Sequence, residues 1–252
     1  MSKAFATRTV RQPWLDSLRG LAVLWMTAYH FAFDLNHFGW IHQDFYRAPV
    51  WTVQRSCILG LFLLCAGLGQ SLAVAQGQSW RQFWFRWGQV TGCAVLVSVG
   101  SYFMFPNSWI YFGVLHGMAV MLLLCRLTAG WGRYLYLAGT VTLGLWLLLP
   151  WLHTHWPPMS VFDAKPLTWL GLVRVKPLTE DYVPVLPWMA VMWWGMALGQ
   201  SGTARNALAR LIAVAGGALQ PLAWLGRWSL AWYMLHQPIL VGALTLWAAL
   251  KA

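Results

Sequence analysis

The sequence predicts an all-α polytopic membrane protein, a bundle of about seven to eight transmembrane helices with a cytoplasmic N-terminus. Of its 252 residues 59% are hydrophobic and only 9% are charged, whereas about a quarter of the residues in a soluble domain are charged. The apolar residues fall into runs of about 20, the length that crosses the hydrocarbon core of a bilayer. Most of the 17 Lys and Arg residues lie in short segments between these runs. Positive charge in short loops is typical of a membrane protein, so the excess of Lys and Arg does not indicate nucleic-acid binding.

Seven apolar runs are predicted to span the membrane, within a single transmembrane domain over residues 1–252. The first begins at Pro13, a residue suited to the first turn of a helix. Residues 205–219 are apolar but short, so we expect an interfacial or re-entrant helix; if they span, the count becomes eight. Residues 152–183 form the one sizeable loop on the outside, which is a connector, a lid or an acceptor-binding surface. The predicted spans are 13–33, 51–75, 87–105, 109–127, 134–152, 184–200 and 222–250.

The distribution of basic residues predicts the orientation. Nine of them flank the spans on the side of the N-terminus and four lie on the other side. Cytoplasmic loops are enriched in Lys and Arg, so the N-terminus is predicted to be cytoplasmic. The nine are Lys3, Arg8, Arg11, Arg81, Arg86, Arg126, Arg133, Arg205 and Arg210; the four are Arg47, Lys165, Arg174 and Lys176.

The first span carries four ionisable residues, Asp16, Arg19, His30 and Asp34. A charge at the bilayer centre costs roughly 2.5–3.5 kcal/mol, so these residues indicate a functional interior. Asp16 can pair with Arg19 three positions on. His30 and Asp34 are four apart and share one face of a helix. A carboxylate near an imidazole fixes its tautomer, which is the arrangement of a general base. The alternative is a structural hydrogen bond between two helices.

The histidines in three different spans are predicted to reach a similar depth. At 1.5 Å per residue, His30 lies roughly 22 Å, His236 roughly 21 Å and His116 roughly 20 Å from the cytoplasmic boundary. By the same rise Arg19 and Arg227 lie only roughly 6–7 Å inside it. These arginines indicate an anion site for the phosphates of a nucleotide-like donor, or side chains that reach back to the headgroups.

Several kinds of chemistry lack their motifs. GxxxxGK[ST], GxGxxG, GxSxG and HExxH are all absent from the sequence, so phosphoryl transfer, dinucleotide binding and zinc proteolysis have no support. The four cysteines show no CxxC pair or zinc-ligand spacing, and we expect no metal site. The residues leave two functions open at this point. One is a haem-binding electron-transfer protein, because histidines of three spans lie at a similar depth. The other is a proton-coupled transporter with His30 and Asp34 as the relay.

Four segments resemble a known family. RGLAVLWMTAYH is similar to the Arg-x10-His signature of membrane acyltransferases. The longer LDSLRGLAVLWM…YHFAFDLNHFG resembles the bacterial branch of the heparan-α-glucosaminide N-acetyltransferase catalytic-domain family, and so do WIYFGVLHGMAV, DYVPVLPWMAVMWWGMALG and LGRWSLAWYMLHQPIL. The matches run in order over most of the chain, which makes them more specific than any one motif.

The resemblance implies an enzyme of a bacterial inner membrane that transfers an acetyl group from cytoplasmic acetyl-CoA to an acceptor on the opposite side, and it leaves open another acyl-CoA as the donor. The implied acceptor is a glycan, an amino sugar or a lipid-linked molecule, modified at an amine or a hydroxyl. Membrane lipid is a further implied partner. The resemblance leaves open whether the chain forms a homodimer. Arg19 and Arg227 would bind the CoA phosphates.

The resemblance also suggests roles for the histidines. His116 and His236 would lie along the donor, and His30 with Asp34 would act as the base. In the lysosomal members the position matching His30 resembles an asparagine, and the catalytic histidine lies in the loop that follows. His42 is therefore the second candidate for the base, with His37 in the same loop.

Overall fold

The computed structural model describes residues 11–214 and 216–251, and in these ranges the chain is helical and has no β-strand. Lys3 and Arg8, which support the predicted orientation, lie outside the described residues. The α-helices are α1 (Pro13–His37), α2 (Pro49–Ala75), α3 (Trp80–Met104), α4 (Val114–Leu127), α5 (Tyr134–His155), α6 (Val185–Gln200), α7 (Gly202–Ala213), α8 (Gln220–Arg227) and α9 (Ser229–Ala249).

The helix starts follow from local chemistry. Pro13 and Pro49 each occupy the first turn of a helix, where the missing N–H has no intrahelical partner to lose. Ser79 caps α3: its hydroxyl accepts from the backbone N–H of Gln82, whose side chain accepts from the backbone N–H of Ser79. This reciprocal capping box satisfies two donors that a helix start otherwise leaves unpaired.

Consecutive long helices run in opposite directions. We call the end of the bundle that holds Asp16 and Arg19 the basal end, and the end that holds His30 and Asp34 the distal end. At the basal end, Arg126 in the last turn of α4 donates to the carbonyl oxygen of Gln78, just before α3, at 2.6 Å. The short connections between α2 and α3 and between α4 and α5 therefore lie at one end of the bundle.

The main core lies where α2, α4 and α6 meet. Leu63, Met121 and Met192 come one from each helix, and none of them has exposed surface. The outward faces of other helices are apolar as well: Phe103 of α3 is 80% exposed and Leu147 of α5 is 63% exposed. Extensive exposed apolar surface marks a face that meets lipid or another protein.

By length and hydropathy, three described segments can cross a membrane: Pro49–Ala75, Tyr134–His155 and Ser229–Lys251. A fourth is added if α7 and the segment Gly216–Arg227, which meet at a bend of 100°, form one broken span. The helices α4 and α6, with 14 and 16 residues, are shorter than the usual 20, and α1 carries several charges. The count of seven to eight spans therefore remains a prediction.

Some predicted boundaries differ from the structure. The third run is helical from Trp80, so Arg81 and Arg86 lie on α3 and not in a loop. The fourth run is helical only from Val114, because the backbone of Phe112 pairs with that of Tyr182. The last run is two helices, since the backbone leaves the helical path at Trp228.

The loop predicted for residues 152–183 is shorter, because α5 continues to His155. It contains two 3₁₀ turns, Pro157–Asp163 and Lys165–Leu170. Its last part is fixed to the connection between α3 and α4: the N–H of Glu180 donates to the carbonyl of Ser108 at 2.9 Å, and the N–H of Val183 donates to the carbonyl of Phe112 at 3.1 Å. The loop is thus part of the distal end and not a free connector.

At the basal end α8 packs closely on α1. A side chain at Gly20 would meet the backbone of Leu222, and one at Gly226 would meet the carbonyl oxygen of Asp16. Small residues allow such close approach of two helix backbones. Residues 205–219, expected as an interfacial or re-entrant helix, form most of α7 and a 3₁₀ turn before α8. The bend of 100° is that of a broken span or a re-entrant loop.

Candidate active site

Two histidines from opposite ends of the chain meet at the distal end of the bundle. Nδ1 of His30 in α1 lies 2.7 Å from Nε2 of His236 in α9. Their rings are stacked, with centroids 5.0 Å apart and planes 11° from parallel. His236 is 5% exposed and His30 is half-buried. The structure therefore brings together two of the three histidines that the depth estimates place at one level.

The hydrogen bonds of His236 determine the tautomers of both rings. Nδ1 of His236 lies 2.9 Å from the carbonyl oxygen of Tyr233 and 3.2 Å from that of Trp232. A carbonyl oxygen only accepts, so Nδ1 of His236 carries the proton and its Nε2, in the neutral ring, is an acceptor. His30 must then donate from Nδ1. In neutral His30 the remaining lone pair is on Nε2, which has no hydrogen-bond partner among the described residues.

Asp34 lies one turn beyond His30 and bonds to a different residue from the one predicted. Its Oδ1 accepts from Nε2 of Gln237 at 2.7 Å, while His30 bonds to His236. Asp34 is 3% exposed, and its Oδ2 has no hydrogen-bond partner in the described part of the chain. The same is true of Oε1 of Gln237. Two buried acceptor atoms thus lie on adjoining helices without donors.

The close contact of the two histidines bears on the haem alternative. Nitrogens on opposite sides of one metal ion stand about 4 Å apart, twice a metal–nitrogen bond of about 2 Å. The 2.7 Å between His30 and His236 is a hydrogen-bond distance, too short for an ion between those two atoms. This arrangement does not favour bis-histidine ligation by the pair.

His116 lies apart from the pair in its bonding. It is in the first turn of α4, where its Nδ1 accepts from the N–H of Gly113 at 3.3 Å. Its Nε2 lies 3.0 Å from the hydroxyl of Ser98, which donates to the carbonyl of Ile110 at 2.7 Å. Both ring nitrogens are therefore engaged in closing the turn between α3 and α4. A structural role is sufficient to explain this histidine.

His42 and His37, the other candidates for the base, are both exposed. His37 ends α1, and His42 lies in the segment between α1 and α2. For neither ring is a hydrogen bond to another described residue found, although His37 has an edge contact with Phe38. The structure gives neither residue the oriented imidazole that His236 gives to His30.

The basal end holds a second polar group. Asp16 is 1% exposed and bridges two arginines: Oδ1 lies 3.2 Å from Nη1 of Arg19, and Oδ2 lies 2.9 Å from Nε of Arg11. The predicted pairing of Asp16 with Arg19 is confirmed. Arg19 also packs over Gly69 of α2, where a side chain would collide with its guanidinium group. A buried carboxylate with two hydrogen-bonded cations fixes their orientation.

A cavity of about 270 Å³ lies between α1, α2, α3, α4 and α9, and we call it the central cavity. Its basal rim is polar, with Arg19, Arg86, Gln70 and Gln78. Its middle is apolar, and Tyr233 is part of the lining on α9. Neither member of the histidine pair lines the cavity, but the carbonyl of Tyr233 accepts from His236. The cavity thus extends from a cationic rim to the residues one turn below the pair.

The cationic rim differs from the sequence prediction. Arg227 is exposed and does not line the central cavity; its carbonyl accepts from Arg11 at 3.3 Å. The second arginine of the rim is Arg86 of α3. The sequence predicted Arg86 in a loop, where its charge counted only toward the predicted orientation in the membrane. An amphipathic continuation of the third run back to Trp80 was the signal that could have identified it.

Charged residues also lie at the distal end, in the segment that precedes α6; Asp181 is half-buried and Lys176 is exposed. Oδ2 of Asp181 accepts from the N–H of Val114 at 2.7 Å and so caps α4. Burial raises the pKa of Asp181, while this hydrogen bond and the nearby charges of Lys176 and Arg55 oppose the rise. Burial lowers the pKa of Lys176, and the charge of Arg55 adds to that effect. Asp181 therefore caps the start of α4 and lies in the electrostatic field of these two cations.

The fold and the site define an all-helical membrane protein with a histidine pair above a cation-rimmed cavity. The family model described as "Heparan-alpha-glucosaminide N-acetyltransferase, catalytic" matches residues 11–238, so the chain belongs to this family. Membership gives it a membrane acetyltransferase-type function, in a family that uses acetyl-CoA as donor. Neither the curated proteins nor the solved structures contain a match to the chain.

Proposed function

We propose that the protein transfers an acetyl group from cytoplasmic acetyl-CoA to an amine on the opposite side of the membrane, with His30 as general base. The observation that carries the proposal is the 2.7 Å bond to His236. This bond leaves the lone pair of neutral His30 on Nε2. His236 holds the ring as the carboxylate does in a catalytic triad and can share the charge that develops.

The central cavity supports the donor part of the proposal. Its basal rim holds Arg19 and Arg86, which suit phosphate groups. Its apolar middle suits the pantetheine arm, and Arg19 and His30 are separated by roughly 16 Å along α1. A donor bound at the rim would therefore present its thioester near the histidine pair. The orientation with the basal end in the cytoplasm remains part of the proposal.

The unpaired oxygens of Asp34 and Gln237 favour an amine over a hydroxyl as the acceptor. These two atoms need donors, and an ammonium group supplies three N–H donors whereas a hydroxyl supplies one. Asp34 would bind the ammonium, and His30 Nε2 would remove one proton to produce the free amine. The nitrogen then attacks the thioester carbonyl, the C–S bond breaks, and the leaving sulfur takes the second amine proton.

The test is the release of CoA from acetyl-CoA by the purified full chain in nanodiscs, with and without an amino sugar. We expect acceptor-dependent release that falls roughly 100- to 10,000-fold in His30→Ala, the usual contribution of a general base, and that persists in His42→Ala. Full activity in His30→Ala with loss in His42→Ala would transfer the role of base to His42. Uptake of the amino sugar without release of CoA would indicate a transporter.

A further inference from the structure

A second cavity of about 320 Å³ lies at the basal end, and we call it the side cavity. It is formed by the residues before and at the start of α1, the last turn of α2 and the first half of α7. The buried side chains of Leu15 and Leu72 pack together where α1 meets α2. Leu72 lines the side cavity, and its neighbour Ala73 lines the central cavity. The two cavities therefore flank the same part of α2.

Among the polar residues that line the side cavity, Arg205 supplies only donors, and Gln12, Gln76 and Asn206 are amides that both donate and accept. Arg205 is half-buried, and its side chain has no hydrogen bond or ion pair with any described residue. The side-chain oxygen of Gln12 is already occupied, because it accepts from the indole N–H of Trp14 at 3.3 Å. That bond leaves the amide N–H groups of Gln12 available. No Asp or Glu is present among the described residues of the lining.

The other walls of the side cavity are apolar or aromatic. Trp14 contributes an indole ring, and Leu72, Ala75 and Ala209 contribute aliphatic surface. Asn206 adds an amide that can both donate and accept. An unpaired arginine beside an aromatic ring and amides suits a ligand with an anionic group attached to a flat, hydrogen-bonding body. A nucleotide phosphate has this chemistry.

We propose that the side cavity binds the phosphate-bearing nucleotide end of the donor, with Arg205 on a phosphate and Trp14 against the base. This rests on the proposed function, and it divides the donor between two sites. The central cavity holds the pantetheine arm, and Arg19 and Arg86 hold the end of that arm at the rim. The nucleotide crosses the basal end of α2 and is bound by α7. Arg205 is then a determinant of donor specificity that acts far from the histidine pair.

The test compares two donors in the full chain: acetyl-CoA, and S-acetyl-pantetheine, which keeps the thioester and the arm but lacks the nucleotide. In Arg205→Gln we expect the KM for acetyl-CoA to rise roughly tenfold or more, as for loss of a hydrogen bond to a charged group, with an unchanged KM for S-acetyl-pantetheine. Arg210→Gln is the matched control, since Arg210 is on the same helix, is exposed and does not line the cavity. It should behave as wild type with both donors.

Binding of adenosine 3′,5′-bisphosphate, measured by calorimetry on the same samples, gives a readout that does not depend on catalysis. We expect weaker binding in Arg205→Gln, partial recovery in Arg205→Lys and no change in Arg210→Gln. Equal binding by wild type and Arg205→Gln would overturn the proposal. So would an equal rise in KM for both donors.

A phospholipid headgroup has the same phosphate chemistry, so the nanodiscs are made with and without anionic lipid. Losses in Arg205→Gln that appear only with anionic lipid, for both donors alike, would assign the side cavity to lipid and overturn the proposal. If wild type turns over neither donor, the proposed acetyl transfer fails. The bisphosphate titration still decides on the side cavity in that case.

Discussion

Nδ1 of His30 lies 2.7 Å from Nε2 of His236, and the backbone carbonyls of α9 hold the other nitrogen of His236. A residue near the end of the chain thus determines which nitrogen of His30 carries the proton. In proteins with a catalytic triad a carboxylate has this role. Here the acceptor is a neutral imidazole, so under the proposed function a positive charge on His30 is shared with a second ring and not neutralised by an anion.

The first prediction concerns His236 as a positioning residue. His236→Gln supplies an amide oxygen that can accept from His30, whereas His236→Phe has a ring but no acceptor. We expect kcat to fall more in His236→Phe than in His236→Gln, with the KM for acetyl-CoA little changed in both. Steady-state kinetics over a range of pH would check this, because a lost orienting bond also shifts the pH profile. Equal losses in the two variants would contradict the role.

The second prediction concerns Asp34 and Gln237. If their unpaired oxygens bind the acceptor amine, Asp34→Asn and Gln237→Leu should each raise the KM for the acceptor and leave the KM for acetyl-CoA unchanged. Because the two side chains share one hydrogen bond, their effects should not add, with a coupling energy of about 0.5–3 kcal/mol in a double-mutant cycle. Additive effects, or a change in donor KM alone, would argue against a shared acceptor site.

The third prediction separates Arg86 from Arg227. Arg86 lines the central cavity and Arg227 does not. Arg86→Gln should raise the KM for acetyl-CoA and for S-acetyl-4′-phosphopantetheine alike, since it acts on the phosphate at the end of the arm and not on the nucleotide. Arg227→Gln should leave both values near wild type. The opposite result would support the sequence prediction for Arg227 over the placement in the structure.

The fourth prediction concerns the contact between α1 and α8. Gly226→Ala places a methyl group against the carbonyl oxygen of Asp16, where there is no room for it. We expect a loss of stability of about 1–3 kcal/mol from overpacking, together with weaker donor binding because Asp16 holds Arg19. Gly242→Ala in α9 is the control, since its methyl group meets open space. Thermal unfolding followed by tryptophan fluorescence would measure the stability, and the KM for acetyl-CoA would report the change in donor binding.

The fifth prediction concerns pH and Asp181. Burial raises its pKa above the ordinary value of 3.8, so the folded protein holds the proton to higher pH than the unfolded chain does. Wild type therefore loses stability relative to Asp181→Asn as pH rises from about 4 through the raised pKa. The difference in apparent melting temperature between the two proteins, measured from pH 4 to 7, should shift in favour of Asp181→Asn. A shift in favour of wild type would contradict the direction of the pKa change.

Local patterns predicted several features of the site correctly. The spacing of Asp16 and Arg19 predicted their ion pair, because residues three apart share a helix face. Counting residues along the spans placed His30 and His236 at one depth. The same counting included His116, which instead bonds within the turn between α3 and α4. Depth is a single coordinate, and it does not determine the direction in which a side chain points.

By itself the sequence determined the helical membrane class. The composition and length of an apolar run show which solvent that helix suits, and they can be read without knowing how the helices pack. It also determined the family, through four segments in order. Only the tertiary structure decided the bonding within the site. The partner of His30 is 206 positions away in the chain and that of Asp34 is 203 away, and no local pattern encodes such pairs. They form because α9 packs on α1, so the rotation of each helix about its axis selects which polar side chains meet.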